Sequence, residues 1–324
     1  MRGRGGEKPS TFPSPSRPLP HSPALARGES AQGRADRTLG VVLLLPALTY
    51  IALLVGVPFL LAVFLSLTNS SAGSLAFSFV GLQNFKNVIA SPVFQRSLRN
   101  TFVFTFVSQL AVMVLGNILA RALMRPFFGK SLARFLILMP WAAPVSLATL
   151  GWLWIFDSTF SVINWVLKVV GWLGPGQWYY WLGDTTLGMT AIIIIHVWRM
   201  LPFSTVILLA GLTSIPAEVH EAADIDGAGY FTKMFQVTIP MMLPILAVAV
   251  LFGVVFTFTD MSVIYLLTRG GPYNSTHVLA SLAFQEGVLG ADVGRGASIA
   301  IFLLPVLLVM AVFMLRTSRR AEVL

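Results

Sequence analysis

Residues 213–244 read TSIPAEVHEAADIDGAGYFTKMFQVTIPMMLP. The stretch predicts two short helices with a break between them. Ser214 is an N-cap candidate and Pro216 suits a first turn. Glu218, Glu221 and Asp224 put negative charge where the helix dipole favours it. Gly227 and Gly229 interrupt the helix. Phe231, Met234, Phe235 and Val237 then form an apolar face, until Pro240 and Pro244 mark entry into the next segment.

The flanking segments are of a different kind. Residues 186–211 and 241–267 are nearly uncharged, and each exceeds the roughly 20 residues a helix needs to cross hydrocarbon. Four more such runs occupy about 39–67, 98–124, 131–156 and 296–316. The expected fold class is an all-α integral membrane protein with about six transmembrane helices. Composition agrees. Of 324 residues, 56% are hydrophobic and only 11% charged, where a soluble domain carries about 25% charged residues. Residues 158–182 hold Trp165, Trp172, Trp178, Tyr179, Tyr180 and Trp181 among Gly171, Gly174, Pro175 and Gly176. That mixture suits an excursion along the interface better than a seventh span.

Residues 1–38 are rich in Pro, Ser, Gly and Arg and read as a disordered cytoplasmic tail. The apolar run after it is too long for a signal-peptide core, so it reads as an uncleaved first span. The membrane-spanning body then covers 39–317, and 318–324 form a short cytoplasmic tail.

The net charge is +9. Basic residues lie between the apolar runs, which points to membrane orientation and not to nucleic acid. With the N-terminus inside, the cytoplasmic side holds seven cations in the tail plus Arg121, Arg125, Lys130, Arg134, Lys233, Arg316, Arg319 and Arg320. The opposite side holds Lys86, Arg96, Arg99, Lys168, Arg269 and Arg295. The asymmetry places both termini inside. The absence of cysteine excludes disulfides and thiolate metal sites.

The order Glu221-Ala222-Ala223, Asp226-Gly227-Ala228 and Ile239-Pro240 resembles the EAA loop of ATP-binding-cassette (ABC) importer permeases. The pattern's aromatic position holds Met234, with Phe235 next. Further pieces in order resemble the sugar and oligosaccharide branch, the maltose-importer-like permeases. They are Gly81-Leu82-Gln83-Asn84-Phe85 with Asn100-Thr101, Pro140, Pro144 and Trp152, Trp198-Arg199 with Pro202-Phe203, and Leu267-Thr268-Arg269-Gly270-Gly271-Pro272. The resemblance implies a type I importer fold, a bacterial inner-membrane location and a coupling helix that docks in an ATPase subunit. Ala222 and Ala223 would permit close packing, Gly227 a sharp turn, and Glu221 and Asp226 polar anchoring. The implied partners are a second, homologous permease, two ATPase subunits, an extracytoplasmic substrate-binding protein and the bilayer. Cofactors (ATP and Mg) belong to the ATPase chains.

Asp260 stands inside the fifth run, where a charge is expensive and faces a partner or a cavity. It reads either as a packing carboxylate paired with the other permease or as a sugar-path residue. In maltose-type permeases the matching stretch lines the sugar site, which brings in Thr259, Phe256, Phe258 and Tyr265. Arg199 and His196 are three residues apart and share a helix face. Gln109, Asn117 and Asn164 are further polar candidates.

No phosphate-binding G-x-x-x-x-G-K-[ST], no H-E-x-x-H and no Ser/His/Asp arrangement occurs. The chain is therefore expected not to be an enzyme, and no metal or catalytic residue is assigned. Two alternatives stay open. A glycerol-phosphate permease shares the same motifs, and its phosphate ester would favour a basic cavity. A secondary transporter working alone has no use for an ATPase dock.

Overall fold

A computed structural model describes residues 40–74 and 78–321. The tail expected at 1–38 lies outside the described residues, as do 322–324. The backbone divides into two units, Met1–Phe59 and Leu60–Leu324.

Helix α1 runs Gly40–Ser66 without a charged residue. In the second unit, α2 (Gln83–Ala90) leads into α3 (Pro92–Met124), which starts on a proline. Proline is preorganised for a first turn, where its missing N–H costs nothing. Then come α4 (Lys130–Ala142), α5 (Val145–Ile155), α6 (Val162–Val169) and α7 (Thr185–Thr213). The loop helix α8 (Ala217–Ile225) precedes α9 (Leu243–Phe258) and α10 (Ser262–Leu267). Helices α11 (Leu279–Phe284), α12 (Val293–Ile301) and α13 (Leu303–Ala321) complete the described chain.

Among the described residues, five helical stretches are long and apolar enough to cross a membrane: α1, α3, α7, α9 with α10, and α12 with α13. The run expected as one span over 131–156 is instead two helices, α4 and α5, bent by 99°. Ala143 adopts ψ 136 ahead of Pro144. The proline ring keeps its predecessor out of the helical region, so the helix stops and restarts. The final helix continues through the expected tail as far as Ala321.

The stretch 158–182 holds no helix long enough to span. Its eight-residue helix α6 spans only about 12 Å, too short to cross. Asn164 donates to the Tyr179 carbonyl (2.8 Å) and accepts from the Trp181 indole (3.1 Å). Asn164 is thus a brace and not a site residue. The Lys168 ammonium sits 4.0 Å from the centre of the Trp178 ring.

Asp184 caps α7, accepting from the Thr186 and Leu187 N–H groups. The Leu187 and Thr186 N–H groups, in that order, hold its carboxyl below the usual carboxylate range. Helix α7 packs against α3, and α9 contacts both. Gly253 on α9 lies against the Gln109 amide of α3, where any Cβ would overlap it. Between apolar helices in lipid, such small-residue contacts replace the hydrophobic drive of soluble cores. At the loop end, Ala120, Leu208, Leu212, Ile215 and Met242 pack together and anchor the root of the 213–244 segment.

Two motifs that are separate in sequence meet at the opposite end. Asn100 donates to the Ser275 (2.7 Å) and His277 (3.0 Å) carbonyls, and Thr101 accepts from the Leu279 N–H. Asn100-Thr101 therefore clamps the turn that follows Gly270-Gly271-Pro272.

Candidate functional site

The 213–244 segment folds as two helical pieces about a glycine break. Pro216, not Ser214, is the N-cap of α8, while Ser214 ends α7 and donates to the Gly211 carbonyl at 2.8 Å. Only Ser214 and Ile215 separate α7 from Pro216, and Ser214 is the C-cap of the preceding helix. The C-terminus of α8 closes through Gly227, at φ +72. Its N–H reaches the Asp224 carbonyl (3.1 Å), and the Ala228 N–H reaches that of Ala223 (2.9 Å). This is the Schellman arrangement, which needs a residue free to adopt left-handed backbone. Ala223 is buried, Ala228 half-buried, and Glu221, Ala222, Asp226 and Gly227 face outward.

Beyond the break, Tyr230–Thr232, a π-helical turn at Lys233–Thr238 and Ile239–Met241 lead into α9, with Pro240 exposed. A salt bridge of 2.5 Å from Lys233 to Asp224 joins the two halves. Met234 is half-buried, whereas Phe235 is 61% exposed. The displaced aromatic thus lies in a π-turn, which holds one more residue than an α-turn. Ile225 (87% exposed), Phe231 (71%) and Tyr230 (58%) extend the apolar surface.

The second feature is a cavity of about 380 Å³ lined by Trp141, Val145, Arg199, Phe256, Thr259 and Asp260, among others. Two helix breaks create it: the α4–α5 bend, and the interruption at Thr259–Met261 between α9 and α10. Asp260 is the hub of its polar wall. One carboxylate oxygen accepts from the Ser262 N–H (2.8 Å). The other accepts from Arg199 Nη2 (2.5 Å) and lies 3.1 Å from His196 Nδ1. His196 Nε2 is 2.9 Å from the Thr257 hydroxyl, itself bonded to the Gly253 carbonyl. The partners of Asp260 are thus in this chain, whereas the packing reading had placed its partner in the other permease. The Arg199 Nε is buried without a partner.

Thr259 and Phe256 line the cavity as expected. Tyr265 does not: its ring packs edge-on against Phe284 at 5.1 Å. Five residues past Asp260, it lies beyond the helix break. Phe258 is buried against Phe102, Gln109 packs under Gly253, and Asn117 accepts from Arg121. None of these three lines the cavity. Trp141 is the cavity-lining aromatic that sequence reasoning missed. It stacks on Phe203 (5.0 Å, 21°) and meets Phe256 edge-on. Its position between Pro140 and Pro144 was the available signal, because an aromatic beside a helix break faces whatever the break opens.

Residues 112–323 match the family described as binding-protein-dependent transport system inner membrane component. The chain belongs to this family. The permease is 33% identical to the trehalose/maltose transport system permease protein MalF of Thermococcus litoralis, over 88% of this chain and 95% of that one. It is 31% identical to the diacetylchitobiose uptake system permease protein DasB of Streptomyces coelicolor, covering 98% and 97% of the two chains. Its fold is similar to a chain of a bacterial ABC transporter that imports alginate, with TM-score 0.73, 20% identity, and 90% and 99% coverage. That likeness establishes the type I importer permease fold.

Proposed function

We propose that this permease is the transmembrane subunit of an ABC importer that moves a sugar or oligosaccharide inward by alternating access. The 213–244 loop docks in an ATPase subunit. A second, homologous permease, two ATPase subunits and an extracytoplasmic binding protein complete the machine. ATP and Mg act on the ATPase chains, and this chain catalyses no reaction. Both termini lie on the cytoplasmic side.

One observation carries the reading. The segment bearing Glu221, Asp226 and Gly227 joins α7 to α9, and Arg199 of α7 is pinned to Asp260 in the break directly after α9, at the cavity wall. Force on the loop therefore reaches both walls of the cavity. Ile225, Tyr230, Phe231 and Phe235 supply the apolar surface that a protein partner covers.

The cavity chemistry suits a sugar. Trp141 and Phe256 offer ring faces to apolar C–H patches, and Arg199 and Asp260 offer polar groups to hydroxyls. Asp260 neutralises Arg199, so the cavity lacks the net positive charge that a glycerol-phosphate ester favours. Relatives with 33% and 31% identity carry trehalose/maltose and diacetylchitobiose in their names. A glycerol-3-phosphate permease of Agrobacterium fabrum is 27% identical.

The test is ATP-dependent sugar uptake by proteoliposomes holding the permease and its partners, comparing wild type with Gly227→Asp and Glu221→Lys. Collapse of uptake with normal membrane insertion supports the coupling role. Uptake by this chain alone, or normal uptake by both variants, overturns it in favour of a self-sufficient carrier.

A further inference from the structure

A groove of about 430 Å³ opens at the loop end of the second unit. Its floor and sides are apolar: Leu123 from the last turn of α3, and Val206, Leu209 and Ala210 from the last turns of α7. Its rim carries Lys130 and Arg134, one helical turn apart at the start of α4. No acidic residue lines it. Among the described residues, neither cation has a salt-bridge partner. The groove also contains Thr213, so it lies on the same membrane side as the coupling loop.

The turn between α3 and α4 reads Arg125-Pro126-Phe127-Phe128-Gly129. Phe127 and Phe128 are exposed, Phe128 completely. Exposed phenyl rings beside cations at a span end suit the boundary between headgroups and acyl chains, where apolar side chains bury and cations meet anionic lipid. A protein segment would have to present negative charge and an apolar strip together at that depth. A phospholipid brings both by its nature: acyl chains for the apolar groove and a phosphate for the basic rim.

We propose that this groove is a binding site for an anionic phospholipid, with its phosphate held by Lys130 and Arg134 and an acyl chain along Leu123, Val206 and Leu209. Basic pockets between transmembrane helices on the cytoplasmic side recognise such headgroups. The site abuts the end of α7 and hence the root of the coupling segment, so an occupied groove braces the helix that carries Arg199. The inference is independent of the transported substrate.

The experiment is native mass spectrometry of the full chain in neutral detergent, titrated with phosphatidylglycerol or with phosphatidylcholine of the same acyl chains. Wild type is expected to retain phosphatidylglycerol preferentially. Each cation near a membrane surface contributes about 1 kcal/mol, so Lys130→Gln with Arg134→Gln weakens phosphatidylglycerol retention by roughly thirtyfold. Lys130→Arg with Arg134→Lys keeps both charges and the preference, and so does the control pair Lys86→Gln with Arg99→Gln on the opposite side. Inorganic phosphate competes weakly if the lipid is the ligand. Equal retention of the two lipids, an unchanged preference in the Gln pair, or displacement of the lipid by inorganic phosphate at equal concentration overturns the proposal.

Discussion

Replacing Asp260 by Asn removes one negative charge and leaves the side-chain shape nearly intact. Its side chain is 6% exposed, and the Arg199 side chain opposite is 18% exposed. The remaining guanidinium then faces a low-dielectric wall with no counter-charge, because His196 brings no negative charge. Breaking one partner of a buried pair costs about 3–5 kcal/mol. Residual access to the cavity lowers this, so about 3 kcal/mol is expected for Asp260→Asn. Arg199→Gln alone leaves Asp260 with only His196 and the Ser262 N–H, and about 2–3 kcal/mol is expected by the same reasoning. The double variant removes both charges together. Replacing a whole buried pair is often nearly neutral, so its cost should be about 1 kcal/mol. The cycle then closes with a coupling energy of several kcal/mol, beyond the roughly 0.5 kcal/mol seen between independent sites. Denaturation in mixed detergent micelles, followed by tryptophan fluorescence, measures each variant. Single variants within 0.5 kcal/mol of wild type, or additive effects in the double variant, would refute the idea that this pair pins α7 to α9.

Three further outcomes follow from the geometry. Trp141→Ala should slow sugar uptake about fivefold, the equivalent of about 1 kcal/mol of ring stacking, with loop-coupled ATP hydrolysis retained; vesicle uptake and phosphate release check this. Gly253→Leu forces a side chain into the Gln109 amide and should cost about 1–3 kcal/mol, read in the same micelle denaturation. His277 lies outside the spans, and burial pushes its imidazole down to about 4. The unfolded chain, with an ordinary value near 6.5, binds the proton first, so stability is full above about pH 6.5 and falls as pH drops towards 4. His277→Gln should flatten that window, tested by melting the protein from pH 7.5 to 4.5.

Local physics made much of this protein legible in advance. Long uncharged runs can only be satisfied as helices in lipid, because hydrocarbon offers backbone groups no other hydrogen-bond partner. The glycine break after Asp226 is local too, since left-handed backbone at Gly227 follows from the residue itself. By contrast, Ser214 was misplaced by two residues, because helix ends depend on how far the preceding helix continues.

What the chain order leaves open is which distant groups meet. Asp260 and Arg199 are 61 residues apart, and only the packing of α9 beside α7 brings them to 2.5 Å. A carboxylate in a membrane announces that it has a partner but not where the partner is. Trp141 reaches the cavity through the 99° bend of α4 against α5, and Tyr265, beyond the break at Thr259–Met261, packs on Phe284 instead of lining it. The helical character of the apolar runs and the turn at Gly227 are set by solvation and backbone sterics, which each residue feels alone. The cavity is set by two helix breaks facing one another, a relation that exists only after α7 and α9 have packed.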